Sequence, residues 1–348
     1  MFDSPLGTAP LLAFALTVLF HLLAMKLFPR WNLLDFPERY GLTRGRLPYP
    51  AGILSICAFL LIFVFIQPVS LQASGVIGAV LLLGVTSVID DRKPLPPLLR
   101  LVIQAAAAFL VFATGDCTGS RICSVTNPLE GIIGGDIIEL NGSFPILSVL
   151  VTVFWLMLTV NALNWFDGIP GQVSAISTIG FLTIGFLALS ARVDQPSLAL
   201  LAFTIAGISL ASFLFELPPP LVVLGDTGAM FFGLLLGVLT IFAGGKVATA
   251  FLVLGVPIID LLFVTIRRIR TKRSPWKGSM AGEHLHHRLL EKGWHPLCIL
   301  ALTGAIGTAF GITALFLDTK EKMFSGVVLL LIMVMLSLYA DRKGKNHP

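Results

Sequence analysis

The chain has 348 residues, of which 56% are hydrophobic and only 12% are charged, and its formal net charge is +5. Soluble domains carry about 25% charged residues, so this composition excludes a soluble domain with a single membrane anchor. It predicts an all-α, polytopic membrane protein built as one integral membrane domain over residues 1–348.

Long apolar segments recur along the whole chain. Each has about 17–22 residues, enough to cross a hydrocarbon core of about 30 Å. The first is predicted to be a retained span, because residues 1–8 lack the basic start of a signal peptide. The eleven predicted spans are 9–28, 51–68, 71–89, 97–114, 145–164, 171–191, 197–215, 228–243, 247–266, 296–317 and 323–340.

The Lys and Arg residues lie mostly on one side of these spans. Of the 24, 19 follow the first, third, ninth and eleventh spans. The positive-inside rule therefore predicts that the N-terminus is outside and the C-terminus is cytoplasmic. Residues 267–295 then form a cytoplasmic loop rich in basic and His residues, and residues 115–144 form the long extracytoplasmic loop.

The extracytoplasmic loop contains two short signals. Cys117 and Cys123 fit a disulfide and two free thiols equally well. Asn141-Gly142 between apolar residues predicts a small β-hairpin.

Four polar islands interrupt the apolar pattern, each at the end of an apolar segment. The predicted topology places all four on the cytoplasmic face. Ionisable side chains at such places are unfavourable unless they are paired, hydrated or bound to metal, so they indicate a functional site. The islands are Asp90-Asp91, Asn161 to Gly168, Gly225 to Gly228 and His284 to His287.

The first two islands each allow a structural interpretation as well as a functional one. Asp90-Asp91 fits a Mg²⁺ site that keeps several waters, and it also fits a solvated helix end. Asn161, Asn164 and Asp167 have i, i+3, i+6 spacing and share one helix face. That density of polar groups favours substrate contact over hydrogen bonding between helices.

The last two islands allow the same choice. Asp226 fits an N-cap, and it also fits a carboxylate that reaches phosphate through Mg²⁺. The His island favours phosphate contact over a solvated loop, because it holds three of the six His residues within four positions. Asp260 in the ninth span is predicted to pair with Arg267 or Arg268.

In this order and with this topology, the islands resemble the motifs of the polyprenyl-phosphate N-acetylhexosamine-1-phosphate transferases of glycosyltransferase family 4. The resemblance covers roughly residues 10–340. It looks more like the UDP-N-acetylglucosamine:undecaprenyl-phosphate branch than the muramoyl-pentapeptide branch. The matching stretches are Ile89-Asp90-Asp91-Arg92, Asn161-Ala-Leu-Asn164-Trp-Phe-Asp167-Gly168, Leu224-Gly225-Asp226-Thr227-Gly228 and His284-Leu-His286-His287-Arg288.

The resemblance implies transfer of N-acetylhexosamine-1-phosphate from a UDP-sugar to undecaprenyl phosphate. UMP would be released, and the lipid-linked product would initiate a cell-envelope polysaccharide such as the O-antigen of lipopolysaccharide. It further implies a multi-pass protein of the bacterial inner (plasma) membrane with a cytoplasmic active site and Mg²⁺, or else Mn²⁺, as cofactor. The implied partners are a UDP-HexNAc, polyprenyl phosphate and membrane lipids, with no nucleic acid, and a homodimer is left open.

The resemblance also implies roles for individual residues. Asp226 is expected to be the main metal ligand with Asp91, and Asp90 and Asp167 are expected to act with them in catalysis. The expected substrate-binding residues are Arg46, Asn161, Asn164, His284, His286 and His287.

Three positions depart from the family pattern. Pro170 stands where a second Asp often follows the first by three residues. Glu216 stands where an Asn often precedes two prolines, and Val223 where an aromatic residue is common. These departures bear on uracil and sugar specificity more than on the metal site.

A secondary transporter is the alternative function. Transporters place their substrate near the bilayer midplane, often between inverted repeats. Here the polar groups gather at one face and no clear repeat is evident in the sequence, so the transferase is favoured.

Overall fold

The protein is described by a computed structural model over residues 5–40, 44–68, 70–117, 119–126, 137–141, 145–244, 247–274 and 282–341. Helices account for most of these residues. In chain order they are α1 Pro5–Leu27, α2 Gly52–Ile66, α3 Leu71–Arg92, α4 Pro97–Thr114, α5 Ile146–Phe166, α6 Gln172–Leu189, α7 Pro196–Glu216, α8 Gly225–Phe242, α9 Val247–Val253, α10 Gly255–Arg270, α11 Leu285–Glu291, α12 Pro296–Phe316 and α13 Thr319–Asp341, with a 3₁₀ turn at Pro37–Tyr40.

The helices agree with a polytopic membrane protein. In the part of the chain that the structure describes, nine helices are long and apolar enough to cross a membrane: α1, α3 to α8, α12 and α13. The second predicted span is α2, which is apolar but has only 15 residues. Each of the eleven predicted spans overlaps at least one helix.

The ninth predicted span, 247–266, is not one helix. It consists of α9 and α10, which are separated at Leu254. Pro257 lies in the first turn of α10. A proline in a first turn removes no intrahelical hydrogen bond, so the helix begins just before the proline.

The long loop contains a small antiparallel sheet. Strand β1, Ser124–Thr126, pairs with strand β2, Ile137–Glu139. Asn141 follows β2, and the hairpin predicted around Asn141-Gly142 lies partly outside the described residues, because Gly142 is not among them. Cys117 and Cys123 form a disulfide, which settles the choice that the sequence left open.

Helix α8 is the most buried of the nine long helices, and it packs against α2, α3, α5 and α6. Its first turn lies very close to α2. A Cβ placed on Gly52 would lie 2.1 Å from the Gly228 nitrogen, so this contact requires glycine. The packing brings Asp226, in the first turn of α8, beside the helix ends that carry other polar islands.

Candidate active site

One carboxylate from α3 holds the N-terminal turn of α8. Asp91 Oδ1 accepts hydrogen bonds from the Asp226 amide at 3.1 Å and from the Tyr49 hydroxyl at 2.6 Å. Asp91 Oδ2 accepts from the Thr227 amide at 3.2 Å and from the Thr227 hydroxyl at 2.6 Å. Asp91 therefore caps α8 from another helix, and the interpretation of Asp226 as the N-cap of α8 is wrong.

Tyr49 reaches Asp91 because the segment before α2 pairs with the segment before α8. The Val223 amide donates to the Pro48 carbonyl at 3.0 Å, and the Ala51 amide donates to the Val223 carbonyl at 2.8 Å. Tyr49 was not predicted from the sequence, because this pairing joins segments more than 170 residues apart.

The guanidinium of Arg100, in the first turn of α4, joins three of the predicted residues. Its Nη1 lies 3.0 Å from Asp90 Oδ2. Its Nη2 donates to Asp226 Oδ2 at 2.8 Å and to Asn164 Oδ1 at 3.2 Å. Asp90 Oδ1 also accepts from the Leu95 amide at 2.6 Å, so both oxygens of Asp90 are fixed. In the sequence, Arg100 counts only as one of the 24 Lys and Arg residues used for the topology, although its place ten residues after Asp90 was a usable clue.

The two amides of α5 have different surroundings. Asn161 Nδ2 donates to Gln104 Oε1 at 2.7 Å and to the Met157 carbonyl at 2.8 Å, so Asn161 connects α5 to α4. Asn164 Oδ1 accepts from Arg100, while its Nδ2 is buried without a hydrogen-bond partner among the described residues. Only Asn164 therefore combines a contact in the site with an unused donor.

Asp167 follows α5 directly and lies near other acidic groups. Burial raises the pKa of Asp167 well above its ordinary value, and the charges of Glu216, Asp226 and Asp91 raise it further. We call Asp90, Asp91, Asp167 and Asp226 the carboxylate cluster. Repulsion within such a cluster is relieved by a proton or a cation, so the cluster favours cation binding.

The His island starts at α11 and packs against the end of α5. His284 Nδ1 lies 2.6 Å from Asp260 Oδ2, and the His284 ring is fully buried. The His286 ring is stacked on it with centroids 5.4 Å apart. A Cβ placed on Gly168 would lie 1.8 Å from His286 Nε2, so His286 lies directly against the turn after Asp167.

The imidazoles of this island differ in exposure. His286 is 2% exposed, whereas His287 is partly exposed. Burial lowers the pKa of His286 to about 3, and burial together with His284 also lowers the pKa of His287. Both rings are therefore neutral near pH 7, and a contact with phosphate there would use a neutral imidazole N–H.

The ion pairs of α10 differ from the prediction. Asp260 pairs with the first residue of the His island, and its predicted pairing with Arg267 or Arg268 is wrong. Arg267 instead pairs with Asp341 at 3.0 Å, and Arg268 Nε donates to Glu283 at 3.0 Å.

Arg46 lies apart from these contacts. It donates to Glu38 Oε1 at 3.3 Å, and its guanidinium lies 4.8 Å from the centre of the Phe36 ring. Within the described part of the chain, none of its contacts joins it to the carboxylate cluster. Arg46 therefore does not contact the other predicted site residues in the described part of the chain, and its substrate-binding role stays a prediction.

The donor set of the cluster fits a cation that is shared with a substrate. The described residues contain no group of three or more His, Cys, Asp or Glu side chains arranged to hold a metal by themselves. Mg²⁺ is usually held by one or two carboxylates together with substrate phosphates. Asp226 has a side chain that is 34% exposed, and Asp167 is also partly exposed. Asp91, by contrast, already accepts four hydrogen bonds.

Comparison with known proteins finds a matching family. The family model described as glycosyl transferase family 4 matches residues 73–244, which include the first three polar islands. Over these residues the chain is similar to that family, and the match confirms the resemblance drawn from the islands.

Relatives of the chain in this family cover most of its length. A probable undecaprenyl-phosphate N-acetylglucosaminyl 1-phosphate transferase of Bacillus subtilis (strain 168) is 28% identical over 278 residues, which cover 77% of this chain and 72% of the relative. An undecaprenyl-phosphate alpha-N-acetylglucosaminyl 1-phosphate transferase of Escherichia coli (strain K12) is 24% identical over 339 residues, 94% of this chain and 88% of the relative. A transferase of the same name from Pasteurella multocida (strain Pm70) is 26% identical over 326 residues, 88% of this chain and 86% of the relative.

Proposed function

We propose that this protein transfers N-acetylhexosamine-1-phosphate from a UDP-sugar to undecaprenyl phosphate and releases UMP. The observation that carries the proposal is the contact of Arg100 with Asp90, Asn164 and Asp226, which joins three of the four islands. A site of paired carboxylates, an amide and a guanidinium suits a reaction between two phosphates, where charge must be neutralised and oriented. The names of the relatives in the family support the same reaction.

In the proposed reaction, a phosphate oxygen of the lipid acceptor attacks the β-phosphorus of the donor. The second pKa of a phosphate monoester is about 6, so most of the acceptor is dianionic at pH 7 and needs no dedicated base. The protein's task is to bring two anions together. Arg100 contacts two carboxylates of the cluster, and it would orient the acceptor phosphate while remaining hydrogen-bonded to the site.

Mg²⁺ or Mn²⁺ would be held by Asp226 with Asp167, and Asp91 would orient the turn that carries Asp226. Asp91 becomes a direct ligand only if it gives up hydrogen bonds that it now accepts. When bound, the cation would neutralise charge on the diphosphate. Asn164 Nδ2 and the partly exposed His287 would donate hydrogen bonds to the donor substrate.

The proposed location is the bacterial inner membrane, with the carboxylate cluster at the cytoplasmic face. This side follows from the 19 Lys and Arg residues assigned to cytoplasmic segments. A UDP-sugar is a cytoplasmic metabolite, so the orientation gives the donor direct access. The lipid-linked product would initiate a cell-envelope polysaccharide.

The test is an assay of UMP release by the purified protein with UDP-N-acetylglucosamine, undecaprenyl phosphate and Mg²⁺. We expect release that requires the lipid acceptor and falls by at least about 100-fold in Asp226→Asn, equal to about 2.7 kcal/mol of transition-state stabilisation. The control is Asp35→Asn, because Asp35 is also a buried, Arg-paired carboxylate but lies outside the cluster. Release without acceptor, or full activity of Asp226→Asn, would contradict the proposal. Inactivity across a panel of UDP-sugars together with solute flux in liposomes would favour a transporter.

A further inference from the structure

Asp260 is a buried carboxylate that lies outside every polar island. Its side chain is 4% exposed, and both of its oxygens are in use. Oδ2 lies 2.6 Å from His284 Nδ1, and Oδ1 accepts from the Leu285 amide at 2.9 Å. Asp260 thus holds both the imidazole and the first amide of α11.

This contact decides where the proton of His284 lies. An ionised carboxylate accepts hydrogen bonds and donates none, so Nδ1 of His284 must carry a hydrogen. Nε2 of His284 is buried and has no hydrogen-bond partner among the described residues. The other ring nitrogen is committed to Asp260, and the ring lies between Trp165 and His286, so His284 is surrounded by protein groups on several sides.

From His284 the contacts continue to the carboxylate cluster. The ring of His286 stacks on that of His284 with an interplanar angle of 7°, and it touches Gly168 with no room for a Cβ. Gly168 is the neighbour of Asp167. Trp165 closes the other side, since its ring meets the His284 ring edge to face at 5.7 Å. Rigid stacked rings therefore separate Asp260 from the Asp167–Gly168 turn.

We propose that Asp260 is a positioning residue that sets the Asp167–Gly168 turn through His284 and His286, and that His287 alone of the island is left to contact the substrate. The kinetic part of this inference rests on the proposed transferase function. Asp260 and His284 lie 24 residues apart on α10 and at the start of α11, so the pair also fixes where α11 begins.

The first test does not need activity. Asp260→Asn keeps the shape and can still accept from Leu285, but its amide must donate to Nδ1 of His284, which moves the imidazole hydrogen to Nε2. In ¹⁵N-histidine NMR of the full-length protein, assigned with His284→Gln, we expect an Nδ1–H signal for His284 in the wild type and an Nε2–H signal in Asp260→Asn. The resonances of His286 should shift as well. An unprotonated Nδ1 in the wild type, or a His286 that does not respond, would overturn the inference even if the protein proves not to be a transferase.

The second test is a double-mutant cycle measured by kinetics. Asp260→Asn and Gly168→Ala disturb opposite ends of the same stack, so each should lower kcat by about 10- to 100-fold, the effect of a displacement near 1 Å, with donor KM changed by less than about threefold. Because both act through His286, the double variant should be no worse than the more damaged single variant. Effects that multiply in the double variant would show two independent defects and overturn the inference.

Two further variants separate positioning from general damage to α11. Asp341→Asn removes the carboxylate that Arg288 of α11 contacts at 2.8 Å and that Arg267 of α10 contacts at 3.0 Å. It should change kcat by less than about threefold, the size expected for loss of a partly exposed ion pair. The Nδ1–H signal of His284 should remain. His287→Gln should instead raise donor KM. A loss of kcat in Asp341→Asn equal to that in Asp260→Asn would reduce the role of Asp260 to helix support.

Discussion

Replacing Arg100 by Lys tests the centre of the site. Arg100 divides its two terminal nitrogens between Asp90 at 3.0 Å and Asp226 at 2.8 Å. A lysine keeps the charge but has a single ammonium, which cannot occupy both positions of the planar fork. Arg100→Lys should therefore leave one carboxylate without its partner.

The size of the effect follows from burial. Breaking a buried pair costs about 3–5 kcal/mol, and an exposed pair contributes about 0.2–1 kcal/mol. The side chain of Arg100 is 27% exposed and that of Asp90 is 6% exposed, so the pair lies between these limits. Since Lys retains one of two contacts, we expect a stability loss of about 1 kcal/mol. The loss in kcat/KM should be larger, about 100-fold or about 2.7 kcal/mol, because the acceptor phosphate loses its orienting group.

The chain contains a matched control in Arg44. Its side chain is 29% exposed and lies 2.5 Å from Asp35, which is 6% exposed. Asp35 also accepts from the Leu47 amide at 2.6 Å, as Asp90 does from its own neighbouring amide. A lysine can keep the single carboxylate partner of Arg44, so Arg44→Lys should cost less stability than Arg100→Lys and keep kcat/KM within about threefold, the range of a surface pair. Thermal unfolding in detergent and lipid-dependent UMP release measure the two quantities. Equal losses of activity in both variants, or a loss below threefold in Arg100→Lys, would refute the reasoning.

Three further predictions concern the carboxylate cluster. Thr227→Val removes the hydroxyl that donates to Asp91 at 2.6 Å, and loss of this charge-assisted hydrogen bond should lower the free energy of unfolding by about 1.5–3 kcal/mol and also lower kcat. Thermal unfolding and UMP release measure the two effects. An unchanged melting temperature would contradict the capping role of Asp91. Asp167→Asn should abolish activity yet raise the apparent melting temperature at pH 8 by about 2 °C or more. The reason is that a carboxyl group whose pKa is raised on folding destabilises the folded state at any pH above its pKa in the unfolded chain. A lower melting temperature would contradict this. EDTA should stop UMP release and Mg²⁺ or Mn²⁺ should restore it, whereas full activity in EDTA would exclude a divalent cation.

The sequence predicted the helices well because hydropathy over some twenty residues is a local property. Counting Lys and Arg residues also predicted that the islands share one face, and Arg100 joins residues of three of them in the structure. Residues 247–266 were predicted as one span, and the break between α9 and α10 was not predicted, because the effect of Pro257 depends on which turn of a helix it occupies. That choice is made by the packing of neighbouring helices.

The carboxylates of the candidate site were named from the sequence, but the groups that hydrogen-bond or pair with them were not. A carboxylate at a helix end is visible in one segment, but the group that pairs with it comes from elsewhere in the fold. Asp91 illustrates this, since its four donors lie on Tyr49, Asp226 and Thr227, in two distant segments. Burial of the His island was equally hidden, because it depends on the contact between His286 and Gly168.

The departures at Pro170 and Glu216 compensate for one another in space. Pro170 leaves the turn after Asp167 without the second Asp of the family pattern. Glu216 places a carboxylate in the same neighbourhood, because its charge raises the pKa of Asp167. The Leu224 amide donates to Glu216 at 3.1 Å, so this carboxylate also holds the residue that precedes α8. The end of α7 thus supplies an acidic neighbour for Asp167. The negative charge near Asp167 therefore still favours a cation, although residue 170 is a proline.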